Sequence, residues 1–388
     1  MAKDPVPVAS SREGDGVTTL ELFFDLVYVF AFTQVTSLMA HGDAPRSLLQ
    51  GFVILSLLWW SWCAFAWLAN EARADAGVLQ IAFVVVMAAM FLASVAIPEA
   101  FHDSHGGLPA PLLLAASYAV ARLAHLGFYA IAARGKPELQ RQLLVTLLVS
   151  VTPVIAILVA GALSDEHHRL WIWLAAVVYD FMAIWATSRR GGAWVVRSAA
   201  HFAERHGLIV ILALGESVVA VGVGVADEPV TWRSAGGGLL ALGVAVGLWF
   251  TYFDWLSEHL EERLAALDDR DRATLATHVF TYGHLPIVAG IILTALGAEQ
   301  ALGHLTDPHL GAVGGWALAG GIALVLTGTA AVAWRAGVGV LAVRLACGAA
   351  LLASATVLSA AAPLLALAAV VAVLAVDAVV ERRAGYAA

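Results

Sequence analysis

The sequence predicts an all-α, polytopic transmembrane helical bundle of about 12 spans, and three observations carry that prediction. Hydrophobic residues make up 61% of the 388 and charged residues only 13%, against about 25% charged in an average soluble chain. Twelve stretches are each apolar over roughly the 20 residues that a bilayer crossing needs. The 21 Lys and Arg fall almost entirely into alternate intervals between those stretches. Only helices satisfy so much backbone inside lipid, so the spans at 19–40, 48–69, 78–97, 110–133, 143–163, 170–187, 207–226, 236–256, 275–297, 312–333, 338–361 and 363–380 are read as helices.

The basic residues set the threading. With the N-terminus in the cytoplasm, 16 of the 21 lie inside, 3 (Arg46, Arg169 and Arg233) lie outside, and 2 (Arg122 and Arg344) lie within spans. That is the asymmetry of the positive-inside rule, and a missed or added span would invert every later interval. Both termini are therefore expected in the cytoplasm. The polar tail, 1–18, has no apolar h-region, so the first span is expected to act as its own insertion signal.

Taken in order, the spans differ in what they carry. The first opens ELFFDLVYVF, which puts Glu21 and Asp25 four apart on one face near the cytoplasmic end. Glu21 suits a helix-start acid that complements the dipole, and Asp25, over a turn deeper, is expected to face the bundle interior. The second span holds WWSWCAFAW, more Trp than an interfacial belt explains, so some of these rings are expected to line a cavity. The fourth carries Arg122 near mid-span and His125 three residues on. Arg does not readily shed its proton and Arg122 is too far from either end to snorkel, so it requires a carboxylate. The sequence offers Glu216, Asp180 on the sixth span, and Asp25. The seventh span contains LALGESVVAVG, where Glu216 is the deepest acid. Gly215, Gly222 and Gly224 are expected to let another backbone approach there. Burial and a nearby cation pull on such a carboxyl in opposite senses, which suits a proton carrier.

The ninth span supplies THVFTYGHLPIVAG. His278 and Tyr282 share a face, His284 sits deeper, and Pro286 frees a backbone carbonyl, a combination expected at a substrate or cation site. Asp254, Arg344 and Asp377 lie near cytoplasmic ends of their spans and read as topological residues, with Arg344 snorkelling. The intervals 188–206 and 257–274 read as solvated or interfacial helical connectors without chemistry of their own. The outer intervals hold His102, Asp103 and His105, then His304, Asp307 and His309. No pair has tight ligand spacing, so they read as solvated surface and no metal or cofactor is expected. Cys63 and Cys347 lie within spans and lack a CxxC context, so no structural disulfide is expected. The basic residues are the topological signal and form no patch for nucleic acid.

Near-matching segments recur at about half the chain length. LAAVVYDFMAIWATSRR at 174–190 aligns without gaps to LAAVVAVLAVDAVVERR at 367–383, and WWSWCAF at 59–65 lies over WFTYFDW at 249–255. A 6+6 parallel internal repeat follows, with halves at 19–187 and 207–383, the connector 188–206 between them, and sites expected between repeats.

Several of these segments carry a family resemblance: ELFFDLVYVFAFTQ (21–34), WLAN (67–70), AIPEAF (96–101), YAVARL (118–123), ERHGLIVILALGESVVAVG (204–222) and YGHLPIVAGI (282–291). Together they resemble the bacterial low temperature requirement A family of multipass membrane proteins. The resemblance implies a bacterial cytoplasmic (inner) membrane protein of this fold and, by the family's name, a link to growth in the cold. It implies no particular reaction.

Three functions fit these residues. In a transporter or permease, Glu216, Asp25 and Asp180 would handle protons or a cation, Arg122 would set their charge, and His278, Tyr282 and His284 would contact solute, with Glu21 and His125 in secondary places. In an integral-membrane enzyme, a desolvated acid would protonate a lipid or isoprenoid and aromatic faces would stabilise cations. In a structural or sensory protein the polar residues would set helix packing. The expected partners are the lipid bilayer, a small-molecule, ion or lipophilic substrate, and a second copy of the chain.

Overall fold

The computed structural model describes residues 16–41, 44–75, 77–102, 107–188, 194–226, 230–339 and 342–384. Most of the tail 1–18, the start of the connector 188–206, Arg189, Arg190, and the outer-interval Asp103 and His105 lie outside the described residues. Among the described residues there are helices and turns and no strand, and 12 helices are long and apolar enough to cross a membrane. The predicted all-α, twelve-span class is therefore the observed one.

The chain order is α1 (Thr19–Ala40), α2 (Ala44–Glu71), α3 (Val78–Ala96), α4 (Ala110–Ala132), α5 (Pro137–Thr146), α6 (Thr152–Ala162), α7 (Glu166–Ser188), α8 (Ala199–Ala226), α9 (Trp232–Phe253), α10 (Leu256–Ala265), α11 (Asp269–Leu275), α12 (His284–Gly303), α13 (Gly311–Ala336), α14 (Ala342–Ala360) and α15 (Pro363–Arg383). The fifth span is α5 and α6 joined by a π-helical turn, Leu147–Val151, and the ninth is α11 and α12 joined by a second, Ala276–Tyr282. Each π turn lies close before a proline, Pro153 and Pro286, whose missing N–H already loosens the helical ladder.

The helices cluster into two compact units. The first takes the chain up to Leu38 and Pro45–Glu204, and the second takes Met39–Ala44 and everything from Arg205 on. In the first, α2 is the most deeply buried helix, and Trp59, Trp62 and Phe65 are fully enclosed. Phe24, Phe65 and Phe83 pack with ring centroids 5.0–5.5 Å apart, tying α1, α2 and α3 together. In the second, α12 and α13 form the buried centre. A Cβ on Gly290 would sit 2.7 Å from Gly321 O, and one on Gly321 would sit 2.7 Å from Gly290 O, so the two backbones meet where neither residue has a side chain. Large apolar side chains such as Phe23, Leu26, Ile81, Val84 and Phe91 are exposed, as lipid-facing residues must be.

Two connectors depart from expectation. The helix α8 begins at Ala199, so the end of 188–206 is its first turns, and His201, Arg205 and His206 are buried on it. The interval 257–274 divides into α10, which ends at Ala265, and α11, which Asp268 caps, its carboxylate accepting from Arg270 N at 3.1 Å and Asp271 N at 3.0 Å.

Candidate functional site

In the first unit the polar groups begin where α1 does. Thr18 and Glu21 form a capping-box arrangement: Glu21 Oε2 accepts from the Thr18 N–H and hydroxyl, both at 2.8 Å, and Thr18 Oγ1 accepts from Glu21 N at 3.3 Å. Glu21 is thus a helix-start acid, as one reading of the sequence held. Its other oxygen lies 2.9 Å from His201 Nε2 of α8. Asn70 Nδ2 stands 3.4 Å from His201 Nδ1 and donates to it, which leaves Nε2 to carry the proton toward Glu21. Both side chains are almost wholly buried, yet both line a cleft of about 90 Å³ with Thr18, Ala69, Arg73 and Ala74. Asp25 is one turn further along α1, about 6 Å of rise, and fully buried, where it accepts the Trp62 indole N–H at 2.8 Å.

The same end of α2 holds the chain ahead of α8. Asn70 Oδ1 accepts from Arg197 N at 2.6 Å while its Nδ2 donates to Ser198 O at 2.8 Å. Buried Glu71 receives the Arg197 guanidinium through two bonds of 2.9 Å and also pairs with Lys136. Outside the spans, the guanidinium of Arg73 hydrogen-bonds the Asp75 carboxylate at 2.9 and 3.1 Å and holds it below its ordinary value of 3.8.

The sequence required a carboxylate for Arg122, and of the three offered Asp180 is the one. Arg122 Nη1 lies 3.2 Å from Asp180 Oδ2 and 3.1 Å from the Tyr118 hydroxyl, and Nη2 donates to Ser150 Oγ at 3.2 Å. Tyr118 donates to Asp180 Oδ2 at 3.1 Å and Ser150 to Oδ1 at 2.5 Å. Arg122 and Asp180 are buried, as a pair in hydrocarbon must be to avoid exposing charge to lipid. Ser150 lies within the π turn of the fifth span, where the ladder slips by one residue. His125, a turn from Arg122 and also buried, packs against the Phe65 and Tyr129 rings, and its Nε2 has no hydrogen-bond partner.

In the second unit Glu216 is buried on α8. Of the three glycines around it only Gly224 meets a neighbour closely: its Cβ would lie 3.1 Å from Glu299 O, whereas Gly215 and Gly222 have open space. The ninth-span trio is divided. His284 is fully buried, donating from Nδ1 to Val279 O at 2.9 Å, a carbonyl of the π turn, while Tyr252 on α9 donates to Nε2 at 2.7 Å. His278 instead accepts from Arg335 Nη2 at 2.6 Å toward the exposed end of α13, and Tyr282 is half-buried. Arg344 does not snorkel. It is fully buried and binds Glu381 through Nε at 2.6 Å and Nη2 at 2.7 Å.

Sequence reasoning missed His201, Asn70, Glu71, Ser150, Tyr118, Tyr252 and Glu381. Two of these had a visible signal. Tyr118 stands four residues before Arg122, and Glu381 four after Asp377, so each shares a face with a charge already singled out. In the outer intervals His102 faces Glu166 at 3.9 Å with both exposed, and His309 bonds Ala360 O at 2.7 Å. His168 holds the exposed Asp165 carboxyl below its ordinary value by hydrogen bonding.

A bundle of membrane-spanning helices with ionised side chains enclosed among them is the class these features define: a multi-pass helical membrane protein. The chain belongs to the bacterial low temperature requirement A family, whose model, described as bacterial low temperature requirement A protein (LtrA), matches residues 16–379. It is 28% identical over 322 residues to an uncharacterized protein of Rhizobium meliloti (strain 1021), which covers 80% of this chain and 75% of that protein. No solved structure matches it.

Proposed function

We propose that this protein is a proton-coupled permease of the bacterial cytoplasmic membrane. The observation that carries the reading is the Glu21–His201 pair: an acid and an imidazole 2.9 Å apart, buried themselves, yet forming the wall of a cleft of about 90 Å³. Water in that cleft exchanges protons with the pair, and Asp25, one turn deeper on the same face, is the next acceptor. In the threading expected from the basic residues the cleft opens to the cytoplasm. Arg122 is a fixed cation of the first unit, and an anionic group of a solute competes with Asp180 for its guanidinium. Glu216 and His284 are two of the buried titratable groups of the second unit, and His278 and Tyr282 are part-exposed groups available to solute.

The test is proton movement in liposomes that hold a pH-sensitive dye. An imposed pH gradient should collapse faster with wild-type protein than in empty liposomes. Glu21→Gln, Asp25→Asn and Glu216→Gln should each slow that collapse by about tenfold or more, in line with the usual contribution of a positioned acid or base. Wild-type protein that moves no protons removes the reading. One observation favours a structural role instead: Arg122 and Arg344, the arginines that the sequence puts within spans, are both buried and both ion-paired. That reading expects no flux from any chain and a loss of stability from each substitution.

A further inference from the structure

At the ends of α14 and α15 three ionisable side chains are enclosed together. Arg344 and Asp377 are fully buried and Glu381 is 4% exposed. The Arg344 guanidinium is committed to Glu381 at 2.6 and 2.7 Å, stacks 5.6 Å from the Trp255 ring centroid, and comes no nearer to Asp377 than 3.9 Å. The Trp255 indole also donates to Glu381, at 3.3 Å. Asp377 is left with both carboxyl oxygens buried and without a hydrogen-bond donor, and Arg344 Nη1 has no acceptor.

With both acids ionised, the cluster would carry one uncompensated negative charge in a place closed to water, and an unpaired buried charge is strongly disfavoured. The neighbours do not supply the missing positive charge. On α14 the other titratable group near Asp377 is Cys347, and on α15 it is Glu381. At the α9–α10 junction Trp255 is neutral and Asp254 is taken by Arg382 at 2.7 Å. Among the described residues, Glu381 and Arg344 are the charged groups that act on Asp377. Among the described residues no three His, Cys, Asp or Glu side chains converge to hold a metal ion.

We propose that Asp377 is a proton-binding site, with Arg344 as the cation that answers its ionisation. In the state described here the Asp377 carboxyl carries one proton and Arg344 rests on Glu381. When the O–H bond breaks, the proton leaves to water and the electron pair stays on the carboxylate. Arg344 then bridges Asp377 and Glu381, and its Nη1 is the donor still free to reach the new charge. The site does not depend on transport and stands whether or not the permease reading does.

Infrared spectroscopy of the full chain in lipid nanodiscs tests this directly. Wild-type protein grown with ¹³C-labelled aspartate should show, at neutral pH, an isotope-shifted carbonyl stretch of a neutral carboxyl group that disappears on alkaline titration. Asp377→Asn should lose that band. Glu381→Gln should lose it as well, because Arg344 then has only Asp377 to neutralise; this variant decides the matter if Asp377→Asn does not fold. No aspartate carboxyl band in the wild type, or a band that persists unchanged in both variants, overturns the proposal. So does a band that appears only when sodium is replaced by choline, which would make the bound cation a metal ion.

Discussion

Asp180 is fully buried and accepts from Arg122, Tyr118 and Ser150, so its loss is not the loss of one bond. Asp180→Asn leaves the Arg122 charge buried without its counter-charge. The expected loss is roughly 3–5 kcal/mol, seen as a lowered unfolding midpoint in detergent. Adding Arg122→Met should recover most of it, because the pair is then absent and no charge is stranded. Ser150→Ala keeps the ion pair and should lose only about 1–3 kcal/mol. At the surface, Asp75 binds fewer protons folded than unfolded, so the Arg73–Asp75 contact stabilises above about pH 4 and fades as pH falls through the lowered folded value. The exposed geometry limits that contribution to under about 1 kcal/mol, and Asp75→Asn should flatten the acid limb of a stability–pH curve by that amount. At this scale the sequence was informative about need and less so about supply. Arg122 announced that it required an acid, and three spans offered one. Ser150 was invisible, because a serine in an apolar span resembles any other small residue until the π turn turns it inward.

At the scale of elements, length and apolar composition located the helices but not their internal breaks. Pro286 suggested a freed carbonyl in the ninth span. The structure supplies it through the π turn, where Val279 O accepts His284. The fifth span gave no comparable warning although Pro153 lies in it, because its surroundings are uniformly apolar. The connectors misled for another reason: polarity reads as solvent exposure, whereas His201, Arg205 and His206 are buried, and His201 meets Glu21 there at 2.9 Å. Between α12 and α13 the contact is set by what is missing. Gly321→Val places side-chain atoms where Gly290 O and Thr294 N already stand, 2.7 and 2.6 Å from a Cβ. The cost should be about 3 kcal/mol or more, at the upper end of core overpacking, with a lowered unfolding midpoint. Gly215→Ala and Gly222→Ala, which face open space, should change that midpoint little.

For the whole molecule, the number of spans was legible because each needs the same length of apolar chain and the basic residues check the count. Which face of each span looks inward was not, since apolar residues cover both lipid-facing and buried sides. The threading is open to measurement. With Cys63 and Cys347 replaced by Ala, Arg134→Cys and Arg270→Cys should react with a membrane-impermeant thiol reagent only after inverted vesicles are made. Arg46→Cys and His304→Cys should react in intact cells. A reversed pattern refutes cytoplasmic termini.

Glu71 ends the second span, Lys136 follows the fourth and Arg197 the sixth, and all three meet in one ionic knot. Such a meeting is open only to intervals that emerge from the same leaflet. A crossing skipped or added between the second and fourth spans would part Glu71 from both cations, and one between the fourth and sixth would part it from Arg197. The knot can close only where the crossings that separate its three members are of the right number.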